Sequence, residues 1–427
     1  MGATYEYKCP CCGGALSFDA ETQNVKCPYC DTEFETESLK ECDEGWQEEQ
    51  VEWKSGGTEW SEEEKERLSV YLCEACGGEL VSEETTASSF CPYCGNPVIF
   101  KGRLAGGLKP DYIIPFKFEK EKVNERFSAF VKGKILLPRA FRHECKTEEI
   151  KGLYVPFWIY DADVTGRVQY RATKTRYWSD GNYDYTEVRH YSVLRGGEIG
   201  FDHIPVDGSK KMDDTLMESI EPYRFSDAVA FQSAFLSGFY TDKYDVSQEE
   251  TFPRANERIR QGTEDALRDT VQGYDSVTTE KSSVRLNRSE VNYTLYPVWM
   301  MQKSWRDKKY TYAINGQTGK VAGDLPMSVG RLILFTLLIA LIGALIGFGV
   351  AYLAEGMDSV IVASVVGALI AGGLAALFLV KQIKTVVPQR GASSYYRDGS
   401  LHISEQRDTF LYRNVTRTKR QTSKDDK

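Results

Sequence analysis

Eight cysteines in four Cys-x-x-Cys pairs constrain this chain more than any other feature. Cys9-x-x-Cys12-Gly13-Gly14 followed by Cys27-Pro28-Tyr29-Cys30 recurs 64 residues later as Cys73-x-x-Cys76-Gly77-Gly78 followed by Cys91-Pro92-Tyr93-Cys94. Fourteen residues separate the pairs in both copies, and Leu16 matches Leu80, so the pattern is a duplicated module. A short Cys-x-x-Cys loop turns two sulfurs toward one point, and two such loops facing each other complete a tetrahedron of the kind Zn²⁺ prefers. The spacing therefore predicts two structural Zn²⁺ sites, Cys9, Cys12, Cys27 and Cys30 in one and Cys73, Cys76, Cys91 and Cys94 in the other. Disulfides, a redox pair and an iron–sulfur cluster are the competing readings. Glycines after Cys12, Cys76 and Cys94, and Asp31 after Cys30, suit the positive φ that these knuckles demand. A module of about 30 residues buries too little apolar surface to fold alone, and a metal supplies the difference, roughly 10–16 kcal/mol in small zinc peptides. With sulfur in every position, neither metal keeps a place for water or substrate.

Eleven cysteines in 427 residues is not a disulfide-rich density, and thiolates held for a metal require a reducing compartment. No signal peptide opens the chain. Cys11, Cys42 and Cys145 are left as ordinary thiols. The net charge of −9 is unevenly spread: residues 1–68 hold six Lys/Arg against eighteen Asp/Glu, and residues 381–427 hold eleven against five. The acidic end repels phosphate backbones, which opposes nucleic-acid binding by the first module, and the basic end suits an anionic inner leaflet. An acidic connector, 37–68, carries Trp46, Trp53 and Trp60 at seven-residue intervals. Gly56 and Gly57 argue against a helix there, and the expectation is a twisted hairpin whose tryptophans cover the small modules rather than a peptide-binding stripe.

Residues 106–328 read as an α+β domain. Val123, Phe127, Phe130 and Val131 mark an amphipathic helix, and Ile259, Leu267 and Val271 a second one over about 254–271. Alternation in Asp163–Thr173 signals a strand, and Tyr310–Ile314 running into Asn315-Gly316 signals a hairpin. Leu153-Tyr154-Val155-Pro156-Phe157-Trp158 is echoed by Leu295-Tyr296-Pro297-Val298-Trp299, which suggests two similar strand-rich halves. Gly316-Gln317-Thr318-Gly319-Lys320 lacks the spacing of a phosphate-binding loop and reads as a turn. His143, His190, His203 and His402 are scattered, with no metallohydrolase or nucleophile-elbow context.

Leu332–Ala354 and Ser359–Val380 are uncharged runs of 23 and 22 residues, each long enough to cross a hydrocarbon layer of about 30 Å. Glu355-Gly356-Met357-Asp358 joins them as a tight hairpin. Arg331, Lys381, Lys384 and Arg390 flank its open end and only acids sit in its turn, so both termini are expected in the cytoplasm of a cell membrane. Gly343, Gly347 and Ala351, and Gly367, Ala371 and Ala375, give each helix a flat seam, read as packing on the other. No intramembrane acid or base marks a transport path.

The order of these parts resembles bacterial membrane proteins, found especially in Firmicutes, that carry a transcription-factor-IIB-type zinc ribbon. The resemblance rests on Cys73-Glu74-Ala75-Cys76-Gly77-Gly78, Cys91-Pro92-Tyr93-Cys94-Gly95-Asn96, Ile114-Pro115-Phe116, Tyr154-Val155-Pro156-Phe157-Trp158, Asn315-Gly316-Gln317-Thr318-Gly319-Lys320 and the helical hairpin. It covers residues from about 70 to 385. It implies partners in envelope-stress systems, where a membrane complex recruits a soluble stress protein. A helicase label, which ribbon similarity invites, is opposed by the missing nucleotide loop. The fold expected is multidomain: two zinc ribbons (1–36 and 69–105), an α+β soluble domain, a two-pass transmembrane hairpin (332–354 and 359–380) and a basic tail (381–427). The function expected is a non-enzymatic scaffold with membrane lipid and protein as partners and no small-molecule substrate. Nucleic-acid binding by the ribbons, or an enzyme concealed in residues 109–326, are the alternatives.

Overall fold

The computed structural model describes residues 9, 14–20, 24–30, 32–35, 53–54, 56–83, 90–104, 107–144, 146–306, 308–354 and 357–420. The longer strands are β1 (Ser17–Asp19), β2 (Asn24–Lys26), β3 (Glu33–Glu35), β4 (Leu68–Leu72), β5 (Glu79–Glu83), β6 (Ile99–Arg103), β7 (Lys146–Ser179), β8 (Tyr183–Asp207), β9 (Tyr240–Asp242), β10 (Ser276–Trp305), β11 (Lys308–Asn315), β12 (Val321–Gly323) and β13 (His402–Lys419). The α-helices are α1 (Glu62–Arg67), α2 (Lys120–Val131), α3 (Arg139–Glu144), α4 (Asp214–Ile220), α5 (Gln248–Asp269), α6 (Val329–Ala354) and α7 (Met357–Ile383).

The body is organised around one antiparallel pair, β7 and β10, in register from Lys146↔Ser304 to Thr173↔Ser276. Their buried stretch is nearly continuous in apolar and aromatic residues because both faces are covered. The two echoing segments lie side by side here, Leu153 opposite Val298 and Val155 opposite Tyr296. They are thus partners within one sheet instead of the two separate halves that the echo suggested. Along its second edge β7 pairs first with β9 and then with β8, which in turn pairs with β13 from Glu198↔His402 to Tyr183↔Lys419. Much of the stretch read from sequence as a basic tail is therefore an edge strand of the main sheet, and its Lys and Arg residues are the outward-pointing charges that protect such an edge.

Helix α5 starts earlier than its apolar periodicity indicates, because Ser247 and Glu250 form a capping box ahead of the first core residue. Its buried Ala255, Ile259 and Ala266 pack against Ala162, Val164, Ile199 and Phe201 of the sheet. Trp60 does lie against Val81 and Leu104 of the second Cys module, but neither it nor Trp53 covers a module in the hairpin the sequence suggested; both pack on the main core. Trp53 sits edge-on to Tyr160 at 4.7 Å and donates its indole N–H to Asn256 on α5 at 2.9 Å, and Trp60 packs edge-on to Phe231. They close the main core, where an aromatic ring removes more apolar surface from water than on a small module. Trp46 lies outside the described residues.

Helices α6 and α7 are long and apolar enough to cross a membrane, and most of each span is left uncovered by the protein, 6% of the first and 17% of the second being buried. They pack on each other along the seam expected: a Cβ at Gly343 would lie 2.5 Å from the Gly367 carbonyl oxygen, and one at Gly347 2.4 Å from that of Ala363. The base of this hairpin is fastened to the α2–α3 turn. Arg331 donates to the carbonyls of Ile135 at 3.2 Å and Leu137 at 2.5 Å, and the Lys134 ammonium donates to the Gln382 carbonyl at 2.6 Å.

Replacing Trp53, only 8% exposed, with Ala leaves a cavity between the sheet and α5. The expected loss is about 3–5 kcal/mol, read by denaturant unfolding of the detergent-solubilised protein. A loss under about 1 kcal/mol would contradict this placement.

Candidate metal centres

Each Cys module is two knuckles presented by short strands. In the first, β1, β2 and β3 form a small three-stranded sheet, and the Cys9 and Cys27 amides donate to the carbonyls of Gly14 and Thr32 at 2.7 and 3.0 Å. In the second, β4 pairs with β5 and β6, and the Cys73 and Cys91 amides donate to Gly78 and Asn96 at 2.9 and 2.7 Å. Gly77 and Gly95 adopt φ of 69° and 74°, as the knuckle turns were expected to require. Gly13 and Asp31 lie outside the described residues.

The four sulfurs of Cys73, Cys76, Cys91 and Cys94 all lie within 4.8 Å of one another, as do those of Cys9, Cys27 and Cys30. Cys73–Cys94 and Cys76–Cys91 are 3.5 and 3.7 Å apart, and Cys9–Cys30 is 3.6 Å. A disulfide would bring a pair to about 2.05 Å. The edge of a tetrahedron of sulfurs around a metal 2.3 Å away is about 3.8 Å, so both groups have the dimensions of a thiolate metal site. Cys12, the fourth expected ligand of the first group, lies outside the described residues, as do Cys11, Cys42 and Cys145.

The surroundings favour thiolate at selected positions. The Thr32 hydroxyl and amide bring the exposed Cys30 thiol down to about 6. Burial works to raise Cys94, but the Asn96 amide and carboxamide prevail and bring it down to about 7. Burial pushes Cys91 up and raises Cys76, so without a cation those two sulfurs stay neutral thiols, and a bound metal ion is what would offset the charge of four thiolates gathered there.

The repeat explains the paired glycines. A Cβ at Gly14 would meet the Tyr29 ring at 2.5 Å, and one at Gly78 the Tyr93 ring at 3.3 Å. In each copy the tyrosine of the Cys-Pro-Tyr-Cys knuckle lies over the second glycine of the facing knuckle.

The two modules then diverge. Tyr29 is 75% exposed, whereas the Tyr93 hydroxyl is buried. The second module is built into the body: β5 pairs with β9 through Val81↔Thr241 and Leu80↔Asp242, Gln302 donates to the Tyr93 carbonyl at 2.7 Å, and Lys151 donates to the carbonyls of Phe90 and Cys91 at 2.8 and 3.2 Å. Beneath Tyr93 lie two buried carboxyls that the sequence did not single out. Asp242 accepts from the Ser209 hydroxyl and is pushed up to about 7 by burial, and Asp207 is raised by burial as well. Only a tyrosine in the knuckle and isolated Asp residues in strand-like context stood in the sequence, and neither announces a shared pocket. The first module instead meets the edge strand, with Phe34 edge-on to Tyr412 of β13 at 6.1 Å and Tyr412 stacked on His190 at 4.3 Å.

The remaining histidines do not assemble. His402 opens β13, and His143 lies on α3. His203, at φ 63°, stacks on Phe225 and holds its Nδ1 3.0 Å from Asp161 in a cleft shared with Asp163, Asp202, Arg288, Glu290 and Arg397. Arg397 pairs with Asp163 and Asp202, Arg288 pairs with Glu290, and among the described residues the lining contains no Ser, Thr, Cys or Lys. Gly316–Lys320 is the turn expected, with Asn315 accepting from the Gln317 and Thr318 amides at 2.9 and 2.8 Å.

A raised carboxyl favours folding in its neutral form, so the contribution of Asp242 is complete below about pH 4 and is lost as pH rises through about 7. Asp242→Asn, always neutral, is expected to gain on the wild type in unfolding free energy between pH 5 and 8, by about 4 kcal/mol at most. A difference between the two that does not change with pH would contradict the buried placement.

No family model matches the chain, and no solved structure matches it. It is 33% identical over 325 residues to a Bacillus subtilis (strain 168) protein described as the uncharacterized protein YdjG, a match covering 76% of this chain and 91% of that one. The chain therefore belongs to the YdjG family.

Proposed function

We propose that the protein is a membrane-anchored, non-enzymatic scaffold that docks protein partners at the cytoplasmic face, with one structural Zn²⁺ in each Cys module. The observation that carries this reading is the second sulfur cluster, which offers a metal four thiolates and no open position, and which is built into a body fastened to the base of an apolar hairpin. A closed site holds shape; it does not activate water. Zinc is the metal of choice because soft thiolates in a tetrahedral set select it, and its role is to fold the knuckles. Anchoring follows from two helices whose apolar surface the protein itself leaves uncovered, with Arg331, Lys381 and Lys384 at the end joined to the body.

The first module is the better candidate for a docking surface. Its knuckle tyrosine and Phe18 are exposed, whereas the equivalent tyrosine of the second module is spent on the body. The resemblance to envelope-stress proteins fits a role in recruiting a soluble stress protein to the membrane. The acidic first module opposes the nucleic-acid alternative.

Affinity purification from detergent extracts of native membranes is expected to recover a protein partner with the wild type and to lose it with Cys9→Ser or Cys27→Ser. Recovery of no partner, or of one indifferent to both substitutions, would overturn the docking role.

A further inference from the structure

The chain reaches the helical hairpin along a direction the sheet makes explicit. β12 runs antiparallel to β11, with Gly323 opposite Tyr312, so it points toward the β10–β11 turn. Six residues beyond Gly323 the chain enters α6 at Val329, and four residues from Tyr312 in the same direction stands Lys308 at the tip of the β10–β11 hairpin. At roughly 3.3 Å per residue both steps cover about 13–20 Å. The hairpin tip therefore lies toward the start of α6, and there Trp305 and Tyr310 meet Phe141 of α3 at 5.8 and 5.7 Å. The α2–α3 turn lies there too, because Arg331 and Lys134 tie that turn to the ends of α6 and α7. One apolar cluster joins all of these: Leu137, Phe141 and Leu325 at its centre, with Trp305, Tyr310 and Ile383 packed on it.

The four segments that converge here, 131–141, 300–311, 324–335 and 381–387, hold ten Lys/Arg and two acids, Asp307 and Asp324. Lys132, Arg139, Arg306, Lys308, Lys309, Lys381 and Lys384 are exposed. Arg306 is turned over the Trp305 ring at 4.6 Å, and Trp305 sits edge-on to Phe141 at 5.8 Å, so an indole with a cation above it stands beside the apolar base. Ile135 and Met327 are exposed at the same level. An indole flanked by cations next to a spanning helix is the arrangement that settles at a lipid headgroup layer, and the cations give that layer a preferred sign.

We infer that the β10–β11 tip and the α2–α3 turn form a docking face for anionic lipid headgroups, which lays the body against the leaflet in one orientation. This inference rests on the membrane reading proposed above. Residues 402–419, basic as they are, belong to the sheet edge; the lipid contact belongs to this platform.

The test uses the full-length protein in nanodiscs of phosphatidylcholine alone or phosphatidylcholine with phosphatidylglycerol, read by hydrogen exchange. Peptides covering 131–141 and 300–311 are expected to exchange about fivefold or more slowly in the anionic discs, the factor corresponding to roughly 1 kcal/mol for one basic residue near such a surface. The response should vanish at high salt and in the combined variant Arg306→Gln, Lys308→Gln, Lys309→Gln, while β7 and β10 peptides keep their protection and so report an intact fold. Equal exchange in the two discs overturns the inference, as does a response that survives in the variant, or equal protection by inorganic phosphate or duplex DNA in phosphatidylcholine discs. Strong protection of α6 and α7 peptides in both discs alongside any of those results leaves the anchor standing and removes only the lipid face. Failure of the protein to enter discs removes both.

Discussion

The antiparallel pairing of β7 with β10 is the constraint on which the other parts of this protein hang. Its length lets one pair of strands carry different attachments at different heights. Near one end β10 turns into β11 and β12 and leads to the helical hairpin. A little further along, at Leu153 and Tyr154, β7 accepts β9, which brings in β5 and with it the second Cys module. Toward the far end β7 accepts β8 and β13, and the first Cys module rests against β13. Backbone hydrogen bonds run through the whole main sheet, so these attachments share one frame.

A buried ion pair ties the segment that follows the helical hairpin to this frame. Arg258 of α5 makes a two-pronged contact with Glu221 at 2.6 and 3.0 Å, Tyr395 donates to the same carboxylate at 2.7 Å, and the Ala392 amide donates to the Arg258 carbonyl at 3.1 Å. Burial raises Glu221 while Arg258 opposes that shift. Such a pair adds little net stability but is costly to break on one side, which makes it a device for fixing one arrangement of chain segments.

The clustering of Cys73, Cys76, Cys91 and Cys94 and of Cys9, Cys27 and Cys30, two of the knuckle glycines, the apolar hairpin and its glycine seam were legible in the sequence because each depends on local spacing. Gly77 and Gly95 take positive φ for reasons internal to a few residues. Gly343 and Gly367 meet because the two helices follow one another in the chain and a Cβ at either position would meet the other's carbonyl oxygen at 2.5 Å. What the sequence did not disclose depends on contacts between distant segments. Trp53 finds Tyr160 and Asn256 across more than a hundred residues, and 402–419 becomes a strand only because β8 offers it an unpaired edge. The fate of the two knuckle tyrosines is the sharpest case: identical local motifs, one tyrosine outside and one inside, decided by whether β9 is there to receive the module.

The proposed scaffold requires sulfur alone around one zinc ion in each module. X-ray absorption at the zinc edge of the purified full-length protein is the most direct measurement. Two zinc ions per chain, each with four sulfur neighbours at about 2.3 Å and no oxygen or nitrogen neighbour, is the result predicted. A light-atom ligand in the first shell, or protein that retains no zinc, would contradict it.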